Sequence, residues 1–127
     1  MTVAEPVVVA VADDDLGVRT TVAEILRADG YEVLEAEDGL VALAVLREHD
    51  VAVLILDIRM PHLDGIGVLD ALEAPPAVLV VSAFTVDVAT RARIGAKVFR
   101  FLRKPVAPLV LLQAVAEAAQ RSAGPPT

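Results

Sequence analysis

The sequence Val51-Ala-Val-Leu-Ile-Leu-Asp57 is an uninterrupted apolar run that ends in a carboxylate. A short run of β-branched and leucine residues is typical of a strand that is buried on both faces of a parallel sheet. The carboxyl ends of such strands form the edge at which open α/β folds bind their ligands. Asp57 is therefore predicted to lie at the functional edge of a sheet.

Three further apolar stretches along the chain also lead into polar residues. The stretches at positions 7–12 and 78–81 are the clearest of them. The polar residues that follow the three stretches are carboxylates, a hydroxyl and a lysine: Asp13, Asp14 and Asp15, then Ser82, then Lys104. Side chains of these types at the ends of successive strands predict a metal-dependent phosphoryl-transfer site.

Strand-like and helix-like segments alternate along the whole chain. The predicted strands are Val7–Ala12, Tyr31–Ala36, Val51–Leu56, Ala77–Ser82 and Val98–Leu102. The predicted helices are Leu16–Asp29, Leu40–His49, Ile66–Leu72, Asp87–Ile94 and Leu109–Arg121. Five strands that alternate with five helices imply an α/β fold with a parallel sheet and right-handed crossovers. This pattern predicts the number and direction of the strands but not their order.

Composition narrows the class of protein. A chain of 127 residues suits one domain, predicted over 1–121, with 122–127 as a flexible tail or the start of a linker. The absence of cysteine excludes disulfides, thiolate metal sites and cysteine nucleophiles. A net charge of -7 disfavours direct binding to nucleic acid or anionic lipid. The sequence shows neither a membrane span nor a signal peptide, so a cytoplasmic location is predicted.

Taken in order, these motifs resemble the receiver domain of two-component response regulators, the single-domain chemotaxis-type proteins included. The resemblance covers about Val7 to Gln120. It rests on four motifs at strand ends: ValAlaAspAspAsp at 11–15, LeuAspIleArgMetPro at 56–61 with Asp64-Gly65 behind it, Ser82-Ala83, and Lys104-Pro105. The resemblance implies a flavodoxin-like, doubly wound (βα)5 fold with five parallel strands in the order 2-1-3-4-5.

The resemblance also implies a phosphorylation site. Asp57 would be the nucleophile that takes a phosphoryl group from a phosphohistidine of a sensor histidine kinase or a phosphotransfer protein. Mg²⁺ would bind to Asp14 and Asp57 directly, to Asp13 through a water, and to the backbone carbonyl of Arg59. The alternative for the acidic cluster is a helix-capping turn, a role that suits Asp15 best.

Four further residues would read out the phosphoryl group, according to the same resemblance. Lys104 would pair with a phosphoryl oxygen, and Ser82 and the amide of Ala83 would donate hydrogen bonds to the group. Phe101 would rotate inward as the switch aromatic. Because Phe99 and Phe101 are predicted to share one strand face, a plain core role is the alternative, and the sequence does not decide which of the two would move. The Lys104–Pro105 bond would be cis.

Positions near the site suggest further properties. Arg59 and Phe84 carry no group that could orient a hydrolytic water, so slow self-dephosphorylation is predicted. Gly65 is expected to adopt a positive φ. The last helix is apolar over more than one face, which predicts contact with a second copy, a kinase or an output partner; the alternative is a helix half-sunk in its own sheet. The two histidines, His49 and His62, are given no role.

Three functions are compatible with parts of this residue set. The leading one is a signalling switch that catalyses its own phosphorylation and has no external substrate. A phosphatase of the dehalogenase type would need a second acid two residues after Asp57, where Arg59 stands. A receiver-like binding module that signals without phosphorylation is the remaining alternative, and the complete set of acids, hydroxyl and lysine argues against it.

Overall fold

A computed structural model describes residues 5–122 of the chain, and within this range strands and helices alternate throughout. The strands are β1 Val8–Ala12, β2 Glu32–Ala36, β3 Val53–Leu56, β4 Ala77–Ser82 and β5 Arg100–Arg103. The α-helices are α1 Leu16–Ala28, α2 Gly39–Glu48, α3 Gly65–Ala71, α4 Val88–Ile94 and α5 Pro108–Ser122, with a 3-10 turn at Gly95–Lys97. The predicted tail at 122–127 lies outside the described residues, except for Ser122, which ends α5.

The five strands form one parallel sheet in the order β2-β1-β3-β4-β5, which confirms the predicted fold. Strands β1 and β3 pair in a register that sets Ala12 beside Leu56. The amide of Asp57 then donates to the carbonyl oxygen of Ala12 at 3.0 Å. Because these two central strands end side by side, the residues that follow them meet at one edge of the sheet.

The sheet separates two apolar cores, which explains why its central strands are apolar at every position. Val53 and Ile55 of β3 face the core shared with α1 and α5, whereas Leu54 and Leu56 face the core shared with α2, α3 and α4. All four side chains are almost fully buried. No helix within residues 5–122 is both long enough and apolar enough to cross a membrane.

Aspartates begin four of the helices. The side chains of Asp15, Asp38, Asp64 and Asp87 each accept a hydrogen bond from a backbone N–H in the first turn of the helix that follows. Such caps satisfy N–H groups that have no partner within the helix. The capping role predicted for Asp15 is confirmed, which leaves Asp13 and Asp14 for other contacts.

The last strand begins later than predicted. The turn at Gly95–Lys97 takes up chain, so β5 starts at Arg100 rather than Val98. Phe99 lies before the strand and packs against the α1–α5 core, whereas Phe101 packs against the opposite core. The prediction that the two rings share one face was therefore wrong, because strand alternation applies only inside the strand.

The loop between β3 and α3 depends on a close approach at Gly65. The prediction of a positive φ at Gly65 was wrong: among the described glycines, Gly30 has it, at 95°. A Cβ on Gly65 would instead collide with the carbonyl oxygen of Asp57. The Gly65 amide also donates to the carbonyl oxygen of Ile58 at 2.8 Å. Gly65 is thus required by space, and it holds the loop against Asp57.

Candidate functional site

Three carboxylates converge where β1 and β3 end. Asp13 and Asp57 are 5 % and 8 % exposed, and Asp14 is exposed. Each of the three offers an oxygen, and these oxygens all lie within 4.8 Å of one another. Two of the residues come from the turn after β1, and the third comes from the end of β3. The strand order therefore brings together acids that lie more than forty positions apart in the sequence.

Lys104 bridges the two buried carboxylates. Its ammonium lies 2.6 Å from Oδ2 of Asp13 and 3.0 Å from Oδ2 of Asp57, and its side chain is 19 % exposed. The backbone N–H of Lys104 donates to the carbonyl oxygen of Ser82 at 2.9 Å, which anchors the lysine to β4. The Lys104–Pro105 peptide bond is cis.

The charge of Lys104 is fixed by these partners. Burial on its own lowers the pKa of the lysine, because it disfavours the charged ammonium. The hydrogen bonds to Asp13 and Asp57 outweigh that effect, and the pKa of Lys104 is raised above its ordinary value. The lysine is therefore a permanent cation at neutral pH.

The remaining oxygens of the buried carboxylates are held by the backbone. Oδ1 of Asp57 accepts from the amide of Ile58 at 2.7 Å, and Oδ1 of Asp13 accepts from the amide of Asp15 at 2.9 Å. Each buried carboxylate thus has one oxygen on a backbone amide and the other on Lys104. This arrangement fixes the direction of both groups before any ligand arrives.

The donor set suits a hard divalent cation. Three carboxylates against one ammonium leave an excess of two negative charges in a small volume, and neighbouring carboxylates repel one another. Mg²⁺ takes oxygen ligands, keeps several waters and is usually held by one or two carboxylates plus a phosphate. The three acids therefore fit Mg²⁺ as a donor set.

Ser82 and Phe101 border one cavity on the other side of the site. Ser82 is 3 % exposed, and its Oγ accepts from the amide of Phe84 at 3.2 Å. The half-buried Phe101 lines a cavity of about 200 Å³ together with Ser82 and Phe84. The guanidinium of Arg91, from α4, lies 4.3 Å from the centre of the Phe101 ring. Ala83, which follows Ser82, is exposed.

Arg59 and Phe84 stack on each other. The guanidinium of Arg59 lies 3.7 Å from the centre of the Phe84 ring, and the ring is 49 % exposed. One residue follows Asp57 by two positions and the other follows Ser82 by two. The stack thus joins the β3–α3 loop to the β4–α4 loop near the carboxylates, a contact that the sequence did not reveal.

An apolar groove opens beside Lys104 on the opposite face. It has a volume of about 690 Å³ and lies between α1 and the segment that follows β5. Its walls include Val18, Val22, Pro105, Val106 and Leu111. The side chain of Leu16, at the start of α1, is 66 % exposed. An apolar surface therefore adjoins the carboxylate cluster.

Arg19 is a site neighbour that the sequence did not single out. Its guanidinium donates to the carbonyl oxygen of Asp13 at 2.8 Å. Nothing in the local pattern distinguishes it from a solvated arginine on an amphipathic helix, because the contact depends on how α1 packs. His62 lies 4.0 Å from Asp38 and makes no described contact with the three acids.

Comparison with known proteins points in the same direction as the geometry. The family model for the response regulator receiver domain matches residues 9–116. The transcriptional regulatory protein PdtaR of Mycobacterium tuberculosis is 34 % identical over 117 residues, which are 89 % of this chain and 57 % of that protein. This chain therefore spans little more than half the length of that relative.

Solved structures share the fold. A CheY-like receiver domain protein from Methanospirillum hungatei superposes with a TM-score of 0.86 at 22 % identity, over 94 % of this chain and 98 % of that one. The chemotaxis protein CheY4 of Vibrio cholerae gives a TM-score of 0.81 at 26 % identity, over 90 % of this chain and 99 % of that one.

Proposed function

This chain belongs to the response regulator receiver domain family of two-component systems, and on that premise we propose that Asp57 accepts a phosphoryl group from a phosphohistidine. Receiver domains are signalling switches, and phosphorylation-based signalling is their general function. The observation that carries the assignment to Asp57 is the lysine bridge: the Lys104 ammonium lies 3.0 Å from a carboxylate that ends a central strand. An ammonium in this position matches the negative charge that a phosphoryl group would add.

The transfer forms one bond and breaks another. The carboxylate of Asp57 attacks the phosphorus, the P–N bond of the donor breaks, and the leaving nitrogen keeps the bonding pair. The ring is released as neutral imidazole, because its other nitrogen already carries a proton in the donor. The product is an acyl phosphate on Asp57. Lys104 offsets charge on the phosphoryl oxygens while its partner changes from the Asp57 carboxylate to the new group. No external substrate is turned over.

The acids around Asp57 have different parts in holding Mg²⁺. Lys104 lies closer to Oδ2 of Asp13, at 2.6 Å, than to Oδ2 of Asp57, at 3.0 Å, so the more tightly held Asp13 suits contact through a water. Asp14 is exposed and suits a direct ligand, as does Asp57, and the backbone carbonyl of Arg59 would complete the protein share. When bound, the cation would screen the attacking carboxylate from the phosphoryl oxygens.

The phosphoryl group carries about 1.5 to 2 negative charges, and because it replaces the single charge of the Asp57 carboxylate, phosphorylation adds about one negative charge to the site. We propose that the Ser82 hydroxyl and the Ala83 amide donate to the phosphoryl oxygens and draw the β4–α4 loop inward. The cavity of about 200 Å³ that Ser82 shares with Phe101 gives the ring space to move. Movement of the Phe101 ring would then change the surface at the outer face of β5 in response to phosphorylation.

Hydrolysis of the acyl phosphate is proposed to be slow. Neither Arg59 nor Phe84 offers a carboxamide or carboxylate to orient water. The Arg59 guanidinium lies 3.7 Å from the centre of the Phe84 ring, beside the acids. Water would reach the phosphorus more readily if the stack opened. The chain would thus catalyse its own phosphorylation and hold the product.

We propose that the chain acts in the cytoplasm and that it binds its partners through two surfaces. The apolar groove would receive the histidine kinase or phosphotransfer protein, because Lys104, which contacts Asp57, lines it and exposed apolar surface marks docking sites. At the start of α5, Leu109 is 78 % exposed and Val110 is 47 % exposed. That end of the helix would contact a second copy or an output partner, while one face of the rest of α5, formed by Leu111, Ala114, Val115 and Ala118, is buried against the sheet. Direct binding to nucleic acid or membrane is not proposed.

The test is intact mass after incubation with phosphoramidate, a small donor that carries the P–N bond of phosphohistidine. One added phosphoryl group is expected, and it should require both Mg²⁺ and Asp57. Asp57→Asn should take none, while the control Asp50→Asn, at the other end of β3, should react as the wild type does. A folded wild-type protein that takes no phosphoryl group would favour a binding module that signals without phosphorylation.

A further inference from the structure

Arg19 lies under the turn that carries Asp13 and Asp14. It is the fourth residue of α1, and its side chain is only 12 % exposed. Its Nη1 donates to the backbone carbonyl of Asp13 at 2.8 Å, and its Nε donates to Oε1 of Glu35, on β2, at 3.3 Å. A charged group with so little exposure needs partners for its N–H groups, and these two contacts occupy two of the five.

The carbonyl that Arg19 holds belongs to the peptide that joins Asp13 to Asp14. The other polar groups of Asp13 are already fixed, because its amide donates to the carbonyl of Ala36 at 3.0 Å and its carboxylate binds Lys104 and the amide of Asp15. The side chain of Asp14, in contrast, is exposed. The direction in which Asp14 leaves the backbone therefore depends on the orientation of this peptide plane.

We infer that Arg19 is a positioning residue for the cation site: it fixes the Asp13–Asp14 peptide and so aims the Asp14 carboxylate at the bound ion. This role rests on the proposed function, because it presumes that the three acids hold Mg²⁺. Arg19 would touch neither the cation nor the phosphoryl group. It would set the affinity for Mg²⁺ through the backbone alone.

Glu35 makes this arrangement compatible with a cation. A free guanidinium near the acids would repel Mg²⁺, but Arg19 shares its charge with the Glu35 carboxylate. Arg27 lies eight residues further along α1. It also contacts Glu35, at 3.4 Å, and donates to the carbonyl of Val33 at 3.1 Å. Arg27 has no described contact with the acids, and its side chain is 49 % exposed.

The planar shape of arginine is part of the inference. A guanidinium presents donors in a fixed fork, so one side chain can bind a carbonyl and a carboxylate that lie in different directions. A lysine ammonium at the same position is a point charge on a flexible stem. It would keep the charge beside Glu35 without holding the carbonyl in one orientation.

The pair Arg19 and Arg27 allows a matched test. The dissociation constant of Mg²⁺ would be measured by calorimetry on the unphosphorylated protein, for the wild type, Arg19→Gln and Arg27→Gln. Both variants lose a contact with Glu35, but only Arg19→Gln loses the contact with Asp13. We expect Mg²⁺ to bind about tenfold more weakly to Arg19→Gln, the lower end of the effect of residues that orient metal ligands. Arg27→Gln should bind as the wild type does.

Two further measurements separate positioning from general damage. Urea unfolding would compare the stability of the variants. Arg19→Lys keeps the charge and should also bind Mg²⁺ more weakly than the wild type. This second variant tests the role if Arg19→Gln does not fold. Saturating Mg²⁺ should restore full phosphorylation of the Arg19 variants. Equal Mg²⁺ affinity in the Arg19 variants and the wild type would overturn this role alone. A wild-type protein that binds no Mg²⁺ would overturn both this role and the proposed function.

Discussion

The ammonium of Lys104 lies 3.0 Å from Oδ2 of Asp57, a residue 47 positions earlier in the chain. The same ammonium is 2.6 Å from Oδ2 of Asp13. One cation of the protein therefore occupies oxygens that also belong to the proposed Mg²⁺ site. The lysine and the metal would compete for the Asp57 carboxylate, and a phosphoryl group would relieve that competition by offering new oxygens to both.

This competition predicts that removal of the lysine strengthens Mg²⁺ binding. Lys104→Met should lower the dissociation constant for Mg²⁺ by about tenfold, because a hydrogen bond between charged groups contributes about 1.5 kcal/mol. Calorimetric titration measures this directly. The control is Lys97→Met, because the Lys97 ammonium donates to the carbonyl of Leu69, in α3, and has no described contact with the acids. Weaker or unchanged binding in Lys104→Met would contradict the competition.

The raised pKa of Lys104 predicts a loss of stability in alkali. Its partners Asp13 and Asp57 raise the pKa in the folded state above the ordinary value of 10.5. The stabilisation is therefore fully present below that value and is lost as the pH rises through the folded pKa. Urea unfolding at about pH 9 and about pH 11 should show a larger loss of unfolding free energy for the wild type than for Lys104→Met.

Tyr31 also has a raised pKa, because of burial and the nearby charge of Asp29. The contribution of Tyr31 to the free energy of unfolding is lost over the same alkaline range. Because the wild type and Lys104→Met both contain Tyr31, this loss cancels in the comparison. An equal loss in the wild type and Lys104→Met would mean that Asp13 and Asp57 do not hold the ammonium as described.

The stack between Arg59 and Phe84 predicts the rate of dephosphorylation. A cation–π contact at an exposed site contributes about 0.5 to 1 kcal/mol. If water enters when the stack opens, Phe84→Ala should hydrolyse its acyl phosphate about two to five times faster than the wild type. The decay of the phosphorylated mass after removal of the donor measures this. Val88→Ala, at a side chain that is 86 % exposed, is the control. An unchanged decay would show that the stack does not slow hydrolysis of the acyl phosphate.

Gly65 and Gly95 give a matched pair for the loop beside Asp57. Gly65→Ala should lower the free energy of unfolding by about 1 to 3 kcal/mol, because the new Cβ would meet the Asp57 carbonyl oxygen. Gly95→Ala should be neutral or slightly stabilising, since nothing lies within 4 Å of its Cβ and its φ is -58°. Urea unfolding measures both, and equal stability of the two variants would contradict the close approach at Gly65.

Prediction from the sequence succeeded where burial alone decides the pattern. The run that ends at Asp57 is apolar at every position because it faces two cores, and this marked it as a central strand. The strand order came from resemblance, because alternation along the chain carries no information about neighbours in the sheet. That order is what brings Asp13 beside Asp57.

The errors and omissions have a common physical origin. The late start of β5 follows from a 3-10 turn at Gly95–Lys97, which has no apolar period to reveal it. The need for glycine at position 65 comes from a contact with Asp57 rather than from its own φ. The contact of Arg19 with Asp13 likewise depends on how α1 packs. Each depends on tertiary contacts, which local sequence patterns do not report.

The central claim is that the phosphoryl group forms on Asp57, and the most direct measurement locates it chemically. Wild-type protein would be treated with phosphoramidate and Mg²⁺, then with borohydride, which reduces an aspartyl phosphate to homoserine. Peptide sequencing of residues 48–59 by mass spectrometry should find homoserine at position 57 and unmodified Asp50. Homoserine or stable phosphate at any other residue, His49 or His62 included, with Asp57 unmodified, would contradict the account.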